Sequence, residues 1–481
     1  MDDALANGSV LDARRALDRL DLRDWQVTAF GAWAGANGRG IVEAITAAGK
    51  TRVGLAAAVG TLGRGGSVLV LVPTVELQDQ WIGQLRRIAP TARVGRLGGG
   101  GQDDFADHDV VVATPQSAAD VPVEPRFGRA GLLIADEAHR YGAPVWSAAL
   151  KEAFDLRLAL TATYERSDDG IDHVLTPYFG DTVYAYSYLE ARRDGVIAPL
   201  HLRMVGVDLT PEERRGYVHA DRRVGELRAQ LVGLGLPRDP ARLLVAATAA
   251  ARTESGTKAP GADGPGASGG SVGRTAAGYL SMLRERRAIA AGAAAKLDVL
   301  DTLAHELSSC RSIVFTDTVE QAGLAVGRLT AGGVRAALVH GQLDARTRRD
   351  RMQAFRSGRL GCVVAPRVLD EGLDVPDADA AVVLAAFRTP RHLIQRLGRV
   401  LRPKSDGRAA TFTIVHARDT REDPDRGANA AFLQAVEPIA DRVEHVTAEQ
   451  LRTERSRRPS HRGQAGDVDS GPGSPTTSGN R

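Results

Sequence analysis

Residues Gly131–His139 read GLLIADEAH, an apolar run that ends in two adjacent acids. An unbroken run of this kind fits a strand buried on both faces, as in a parallel sheet. Neighbouring side chains at a strand's end point in alternate directions, so two carboxylates there can divide the work of one site. Asp136 is assigned to magnesium, through water, and Glu137 to the general base for hydrolysis. An acidic helix start would give the same two letters, since Asp and Glu both favour first turns. A strand ending in DEAH downstream of a phosphate loop is the more specific pattern.

Such a loop lies upstream. After the apolar run Arg39–Ala44 comes ITAAGKT, Ile45–Thr51, followed by a helical stretch. A phosphate cradle needs backbone N–H groups at a helix N-terminus, a lysine for the β/γ oxygens and a hydroxyl for the metal. Gly49, Lys50 and Thr51 supply the last three pieces, with Ala47 and Ala48 completing the loop. The strand before and the helix after argue against a chance GKT.

Further runs at Ser67–Pro73, Asp109–Thr114 and Arg157–Thr161 read as buried strands, with helical stretches such as Lys50–Val59 and Val75–Ile88 between them. This alternation predicts a mostly parallel sheet covered on both faces. The rhythm restarts near Arg311: RSIVFT, helical Val319–Leu329, VRAALVH, helical Asp344–Phe355, GCVVAP and DAAVVLAA. A second domain of the same class is expected. The boundaries read as 1–187 for the first domain, 188–307 for a connector with a helical insertion, 308–447 for the second domain and 448–481 for a disordered basic tail. Within the insertion, helices are expected at Pro211–Leu231 and Thr275–Leu307. They flank SGTKAPGADGPGASGGSVGR, Ser255–Arg274, whose glycine, proline and serine predict a mobile loop.

Composition sets outer bounds. A chain of 481 residues, 43% hydrophobic and 25% charged, suits two or three globular domains. The longest apolar runs are strand-sized, so no transmembrane helix is expected. The N-terminal MDDALANGSVLDARR lacks the apolar core of a secretory signal. Cys310 and Cys362 form no CxxC pair, which excludes a zinc ribbon or cluster built on four thiolates, and a reducing cytoplasm is the simplest setting. A net charge of +3 neither demands nor forbids a nucleic-acid partner. Five lysines stand against 57 arginines among 62 basic residues, so a lysine retained in a motif carries weight.

The order of the motifs resembles that of the DEAD/DEAH superfamily-two helicases, from about Leu22 to Val415. GKT at Gly49–Thr51, DEAH at Asp136–His139 and TAT at Thr161–Thr163 stand in the order of motifs I, II and III. QRLGRVLR, Gln395–Arg402, resembles motif VI, and EGLDVP, Glu371–Pro376, resembles motif V. PTVELQDQW at Pro73–Trp81 resembles motif Ia, ATPQS at Ala113–Ser117 the later strand-contacting motif, and IVFTDT at Ile313–Thr318 motif IV. LVHGQLDARTR at Leu338–Arg348 resembles the loop after motif IV. Arg23 with Gln26 resembles the adenine-reading element. Within the superfamily the chain looks most like the motor of XPB-type DNA helicases. The carriers are TATYERSDDG at Thr161–Gly170, the connector Gly180–Leu200 and the helix Arg284–Leu303.

The resemblance implies an α/β protein of two tandem RecA-like domains, each a mostly parallel sheet flanked by helices, with a helical insertion between them. It implies ATP and Mg2+ as cofactors and a nucleic acid, DNA before RNA, held without sequence specificity. Gln395, Arg399 and Arg402 would reach ATP from the second domain, and guanidinium groups so delivered accelerate phosphoryl transfer by up to ~10³–10⁵. Gly372 and Asp374 would lie near the ribose and the first of these arginines. His139, Thr161 and Thr163 would couple the phosphate site to strand grip. Strand contacts map to Pro73, Thr74, Thr114, Pro115, Thr316, His340, Gly341 and Arg367. No membrane partner is expected, and protein partners are not legible.

Two positions depart from the pattern. Ala47 stands where glycine is usual, a strain of ~1–2 kcal/mol if a positive φ is needed. Pro366 replaces the threonine before Arg367, removing a hydroxyl and an N–H. Hydrolysis is still expected. An ATP-gated clamp, an RNA helicase and the motor subunit of a restriction complex remain open as alternatives.

Overall fold

The computed structural model describes residues 18, 20–46, 48–162, 168–256, 268–366, 378–384, 397–398, 400–401, 404 and 406–457. Ala47, Thr163, Arg367, Gly372, Asp374, Gln395, Arg399 and Arg402 lie outside them.

Among the described residues the first sheet is built from β1 (Arg39–Ala44), β2 (Ser67–Leu71), β3 (Val94–Gly98), β4 (Gly101–Gln102), β5 (Val110–Ala113), β6 (Gly131–Asp136), β7 (Leu156–Thr161) and β8 (Thr182–Tyr186). Their order across the sheet is β4-β3-β5-β2-β6-β7-β1-β8, parallel throughout except for the short β3–β4 pair. Leu132 and Ile134 of β6 enter one core and Leu133 enters another, so both faces of the sheet are covered. That double burial is why these strands read as continuous apolar runs.

The second sheet contains β9 (Leu200–Val207), β10 (Ser312–Thr316), β11 (Ala336–Leu338), β12 (Cys362–Pro366), β13 (Ala380–Val383), β14 (Ala410–Ala417) and β15 (Arg442–Thr447). Its order is β11-β12-β10-β13-β14-β9-β15, with every pair parallel. The connector is therefore not only helical: its strand β9 lies between β14 and β15 and completes the second sheet.

Local chemistry sets the helix starts. Thr74 caps Val75–Ile88 by accepting from the Leu77 N–H, with Glu76 in the first turn and Arg86 and Arg87 in the last. Thr210 and Glu213 form a reciprocal capping box at Pro211–Gly233. Thr318 and Asp344 cap Val319–Ala331 and Ala345–Arg356.

Among the described residues the insertion holds three helices, Pro211–Gly233, Pro240–Gly256 and Ser268–Ala291, around Val224, Leu227, Leu231, Leu243, Ala247, Ala276 and Tyr279. Three expectations need correcting here. The helix read over Thr275–Leu307 is two, Ser268–Ala291 and Ala294–Ser308, because the chain breaks at Gly292–Ala293. Helices also extend into both ends of the expected 255–274 loop, whose residues 257–267 lie outside the described set. The chain expected to be disordered from 448 instead begins with a helix, Ala448–Arg457, anchored by buried Leu451.

The two domains meet directly. A Cβ placed on Gly398 would stand 2.3 Å from Thr46 Cβ, so the second domain packs against the phosphate loop at that point. The Ala198 N–H of the connector donates to the Leu401 carbonyl, and Arg348 faces Glu76 across the domains at 3.8 Å. Among the described residues no helix is long and apolar enough to cross a membrane.

Candidate functional site

Chain leaving β1 turns through Ala48, whose N–H donates to the Ile45 carbonyl, and reaches Gly49 at φ +95°. The helix Lys50–Leu62 starts there. Glycine is required at this turn, because an L side chain is strained at that φ and its Cβ would lie 2.9 Å from Gln26 Nε2. Lys50 is buried and its Nζ donates to the Ala44 carbonyl at 3.0 Å. Thr51 follows in the first turn, half-buried.

The upstream element grips this loop. Arg23 Nη1 donates to the Ala48 carbonyl at 3.1 Å, and Gln26 Nε2 to the Gly49 carbonyl at 3.1 Å. Gln26 Oε1 accepts from the Arg23 N–H at 2.9 Å, so both ends of the amide are used. The residues read as an adenine reader thus also set the shape of the phosphate loop.

Two strands away, β6 delivers the acids. Asp136 is buried, with Oδ2 accepting from Trp81 Nε1 at 2.9 Å and Oδ1 from the Glu137 N–H at 3.0 Å. Burial first, then the charge of Glu137, push its carboxyl up to about 6, against the Trp81 hydrogen bond and the Lys50 charge. Glu137 adopts φ 52°, ψ 48°, a left-handed conformation that costs a non-glycine residue ~1–2 kcal/mol. Its Oε2 is buried without a hydrogen-bond donor and lies 3.5 Å from His139 Nδ1. That same nitrogen is 3.0 Å from Thr161 Oγ1 at the end of β7. Glu137, His139 and Thr161 therefore form one chain of contacts running across the strand ends.

Fit to a metal–nucleotide is testable on these atoms. A carboxylate held above its ordinary range first by burial and then by a second acid, beside a lysine and a loop with no room for a Cβ, is completed by a cation and phosphates. The donor set fits.

The motifs expected to touch a strand share the same carboxyl-terminal edge. Pro73 and Thr74 follow β2, and Thr114 and Pro115 follow β5, its hydrogen-bonded neighbour. Thr114 Oγ1 donates to Ser117 Oγ at 3.0 Å. Beside them Gly98, Gly99 and Gly100 have φ of +87°, +59° and +95°, and a Cβ on Gly98 would lie 2.5 Å from Thr114 Oγ1. The sequence reading missed this turn, although its four consecutive glycines were the available signal. It also missed the bond from Trp81 to Asp136, which nothing in the motif announces.

In the second domain Thr316 ends β10, fully buried, with its hydroxyl donating to the Thr318 carbonyl at 3.1 Å. His340 and exposed Gly341 follow β11. Pro366 is the last residue of β12, opposite Thr316 and two positions beyond the last pairing with β11. Its missing N–H therefore takes nothing from that ladder. The comparison of Ala47 with the usual glycine falls on a residue outside the described set.

Comparison with known proteins gives a consistent placement. Residues 19–166 match the family described as "Type III restriction enzyme, res subunit", and residues 295–404 match "Helicase conserved C-terminal domain". The chain is 31% identical over 404 residues to a DNA 3'-5' translocase XPB2 of Sulfurisphaera tokodaii, covering 83% of this chain and 82% of that protein. It is 27% identical over 412 residues to a DNA 3'-5' helicase XPB of Mycobacterium tuberculosis, covering 83% of this chain but 61% of that one. Among solved structures, the Pyrococcus furiosus Hef helicase domain superposes with TM-score 0.56 at 21% identity, over 85% of this chain and 98% of the other. Yeast Dbp5 bound to RNA and ADP BeF3 gives 0.53 at 13%, over 92% and 98%. The last two likenesses bear on the fold alone.

Proposed function

Because this chain belongs to the XPB-type DNA helicases of superfamily two, an ATP-dependent helicase or translocase family, we propose that it moves along a DNA strand with 3'-to-5' polarity, as its relatives are named. The single observation that carries the residue-level reading is the common edge. Gly49–Lys50–Thr51 after β1 and Asp136–Glu137 after β6 face one place, with Thr161 of β7 between.

In this reading Lys50 and the Ala47–Thr51 amides hold the phosphates of ATP, and Arg23 and Gln26 hold the base. Thr51 and Asp136 would hold Mg2+, which when bound would neutralise phosphate charge. Glu137 takes the proton of the attacking water. Its left-handed backbone and an Oε2 that accepts no hydrogen bond suit a base poised for that proton. Gln395, Arg399 and Arg402 reach the phosphates from the second domain, and Gly372 and Asp374 support them. ATP thereby bridges the domains and favours their apposition, and hydrolysis removes the bridge. His139, in contact with Glu137, and Thr161, in contact with His139, carry the change toward the strand-binding edge, joined by Thr163. Hydroxyls and loop amides at Thr74, Thr114, His340, Gly341 and Arg367 hold the backbone without reading bases, while Thr316, buried with its hydroxyl on the Thr318 carbonyl, shapes the loop after β10 rather than touching the strand. Half-buried Cys310 and buried Cys362, both outside any disulfide and with thiols pushed up to about 12 by burial, suit a reducing cytoplasmic setting.

The test is ATP hydrolysis by the full chain alone and with single-stranded DNA, duplex DNA or RNA, beside Glu137→Gln. Stimulation by DNA that the variant lacks is expected. Turnover indifferent to every polymer would instead indicate an ATP-gated clamp.

A further inference from the structure

Trp81 lies in the helix Val75–Ile88 and is almost wholly buried, 1% exposed. Its indole N–H, a donor with no acceptor capacity, ends on Asp136 Oδ2 at 2.9 Å. Glu137 N–H holds the other oxygen at 3.0 Å, so two donors on two oxygens fix the plane of the carboxylate. Each oxygen keeps a second lone pair. The ring is itself locked: a Cβ on Gly54 of the phosphate-loop helix would stand 2.6 Å from Trp81 Cη2. One turn earlier, Gln78 Nε2 donates to the carbonyls of Leu97 and Val112 and pins the helix to β3 and β5. The same helix begins at its cap Thr74, two turns before Trp81 and ~10 Å along the axis.

We propose that Trp81 is a positioning residue for the metal-binding carboxylate Asp136, and that its helix links the strand-binding cap Thr74 to the nucleotide site. The proposal rests on the assignment of Asp136 to the cation. Hydrogen-bond partners that orient metal ligands are worth 10- to 100-fold in metal affinity when removed. Packing alone would also bury a tryptophan here, so the test removes the N–H and keeps the shape.

The probe is Mn2+ with ADP and full-length protein, free Mn2+ being read from its hexaaqua electron paramagnetic resonance signal, with and without oligothymidine. Trp81 is substituted by benzothienylalanine, which keeps the bicyclic ring and loses the N–H, and separately by Trp81→Phe. A roughly 10-fold weaker Mn2+ affinity in the isosteric variant is expected, with metal-free ADP affinity and melting temperature unchanged. Oligothymidine shifts Mn2+ affinity in the parent protein and has lost that effect in the variant. Equal Mn2+ affinity in parent and variant overturns the positioning role, and a retained oligothymidine effect overturns the link. A parent protein that binds ADP but no Mn2+ overturns the assignment of Asp136, a separate outcome visible without either variant.

Discussion

Gly398→Ala adds one methyl group where the second domain meets the phosphate loop. The new Cβ would stand 2.3 Å from Thr46 Cβ and 2.5 Å from its Cγ2, where ordinary contacts lie at 3.4–4 Å. The shortfall exceeds an ångström, and the atoms in the way are the root of a β-branched side chain, not a flexible tip. Overpacking of this kind costs ~1–3 kcal/mol. The contact joins two domains, so the cost falls on their apposition and leaves each core intact. A coupling of that size corresponds to ~5–150-fold in an equilibrium. Gly398→Ala is therefore expected to lower kcat/KM for ATP by roughly that factor, with the melting temperature of the protein unchanged.

The assay is steady-state ATP hydrolysis with saturating DNA on a four-member cycle: parent, Gly398→Ala, Thr46→Gly and both together. Thr46→Gly removes the obstructing atoms, so the double variant should recover most of what Gly398→Ala lost, a coupling of ~1–3 kcal/mol. Additive losses would refute the reasoning, as would an unaltered kcat/KM in Gly398→Ala.

The remaining predictions concern the second sheet and the connector helix Ala294–Ser308 packed on it. Lys296 has a fully buried side chain and donates to Glu422 at 2.6 Å and to the Leu384 carbonyl at 2.9 Å. Lys296→Met strands that carboxylate, so urea denaturation should show a loss of about 3–5 kcal/mol, and a loss below ~1 kcal/mol would contradict the pair's role. His416 is buried, with burial pulling its imidazole down to about 4 against the opposing charge of Asp423. A base depressed in the folded state is protonated first in the unfolded chain, so its share of stability is present above ~6.5 and lost as pH falls toward 4. At 1.36 kcal/mol per unit that share is roughly 3 kcal/mol, and His416→Gln should flatten the fall of stability between those limits. An unchanged pH profile would show that His416 does not set it.

Strand by strand, what could be read from the sequence depended on burial. β1, β2, β5, β6, β7, β10, β12 and β13 were read because both faces are covered and their residues run apolar without a break. β3, VGRLG, and β15, RVEHVT, pass unread because they lie near sheet edges and carry polar residues between the apolar ones. β9 lies between β14 and β15, but its LHLRMVGV interleaves His201 and Arg203, and Arg203 is held by Glu306 and Glu444. The charge of Arg203 hides a buried strand because its partners come from about a hundred or more residues away.

The same distinction explains the site. A motif's letters record which residue ends a strand, and parallel strands bring all such ends to one edge, so position along the edge is legible. Partnership across the edge is not. DEAH specifies two acids but not that Asp136 takes an indole N–H from a helix 55 residues upstream, nor that Glu137 enters the left-handed region. QRLGRVLR specifies a glycine but not that Thr46 fills the space its side chain would need. In each case the neighbour matters: the glycine leaves room for a domain that approaches that closely, and the acid, already costly to bury, is made costlier by the second acid beside it. Perturbing the neighbour is therefore the sharper experiment, and Thr46 and Trp81, which the motif reading left without a role, are where the geometry can be tested while the catalytic groups stay in place.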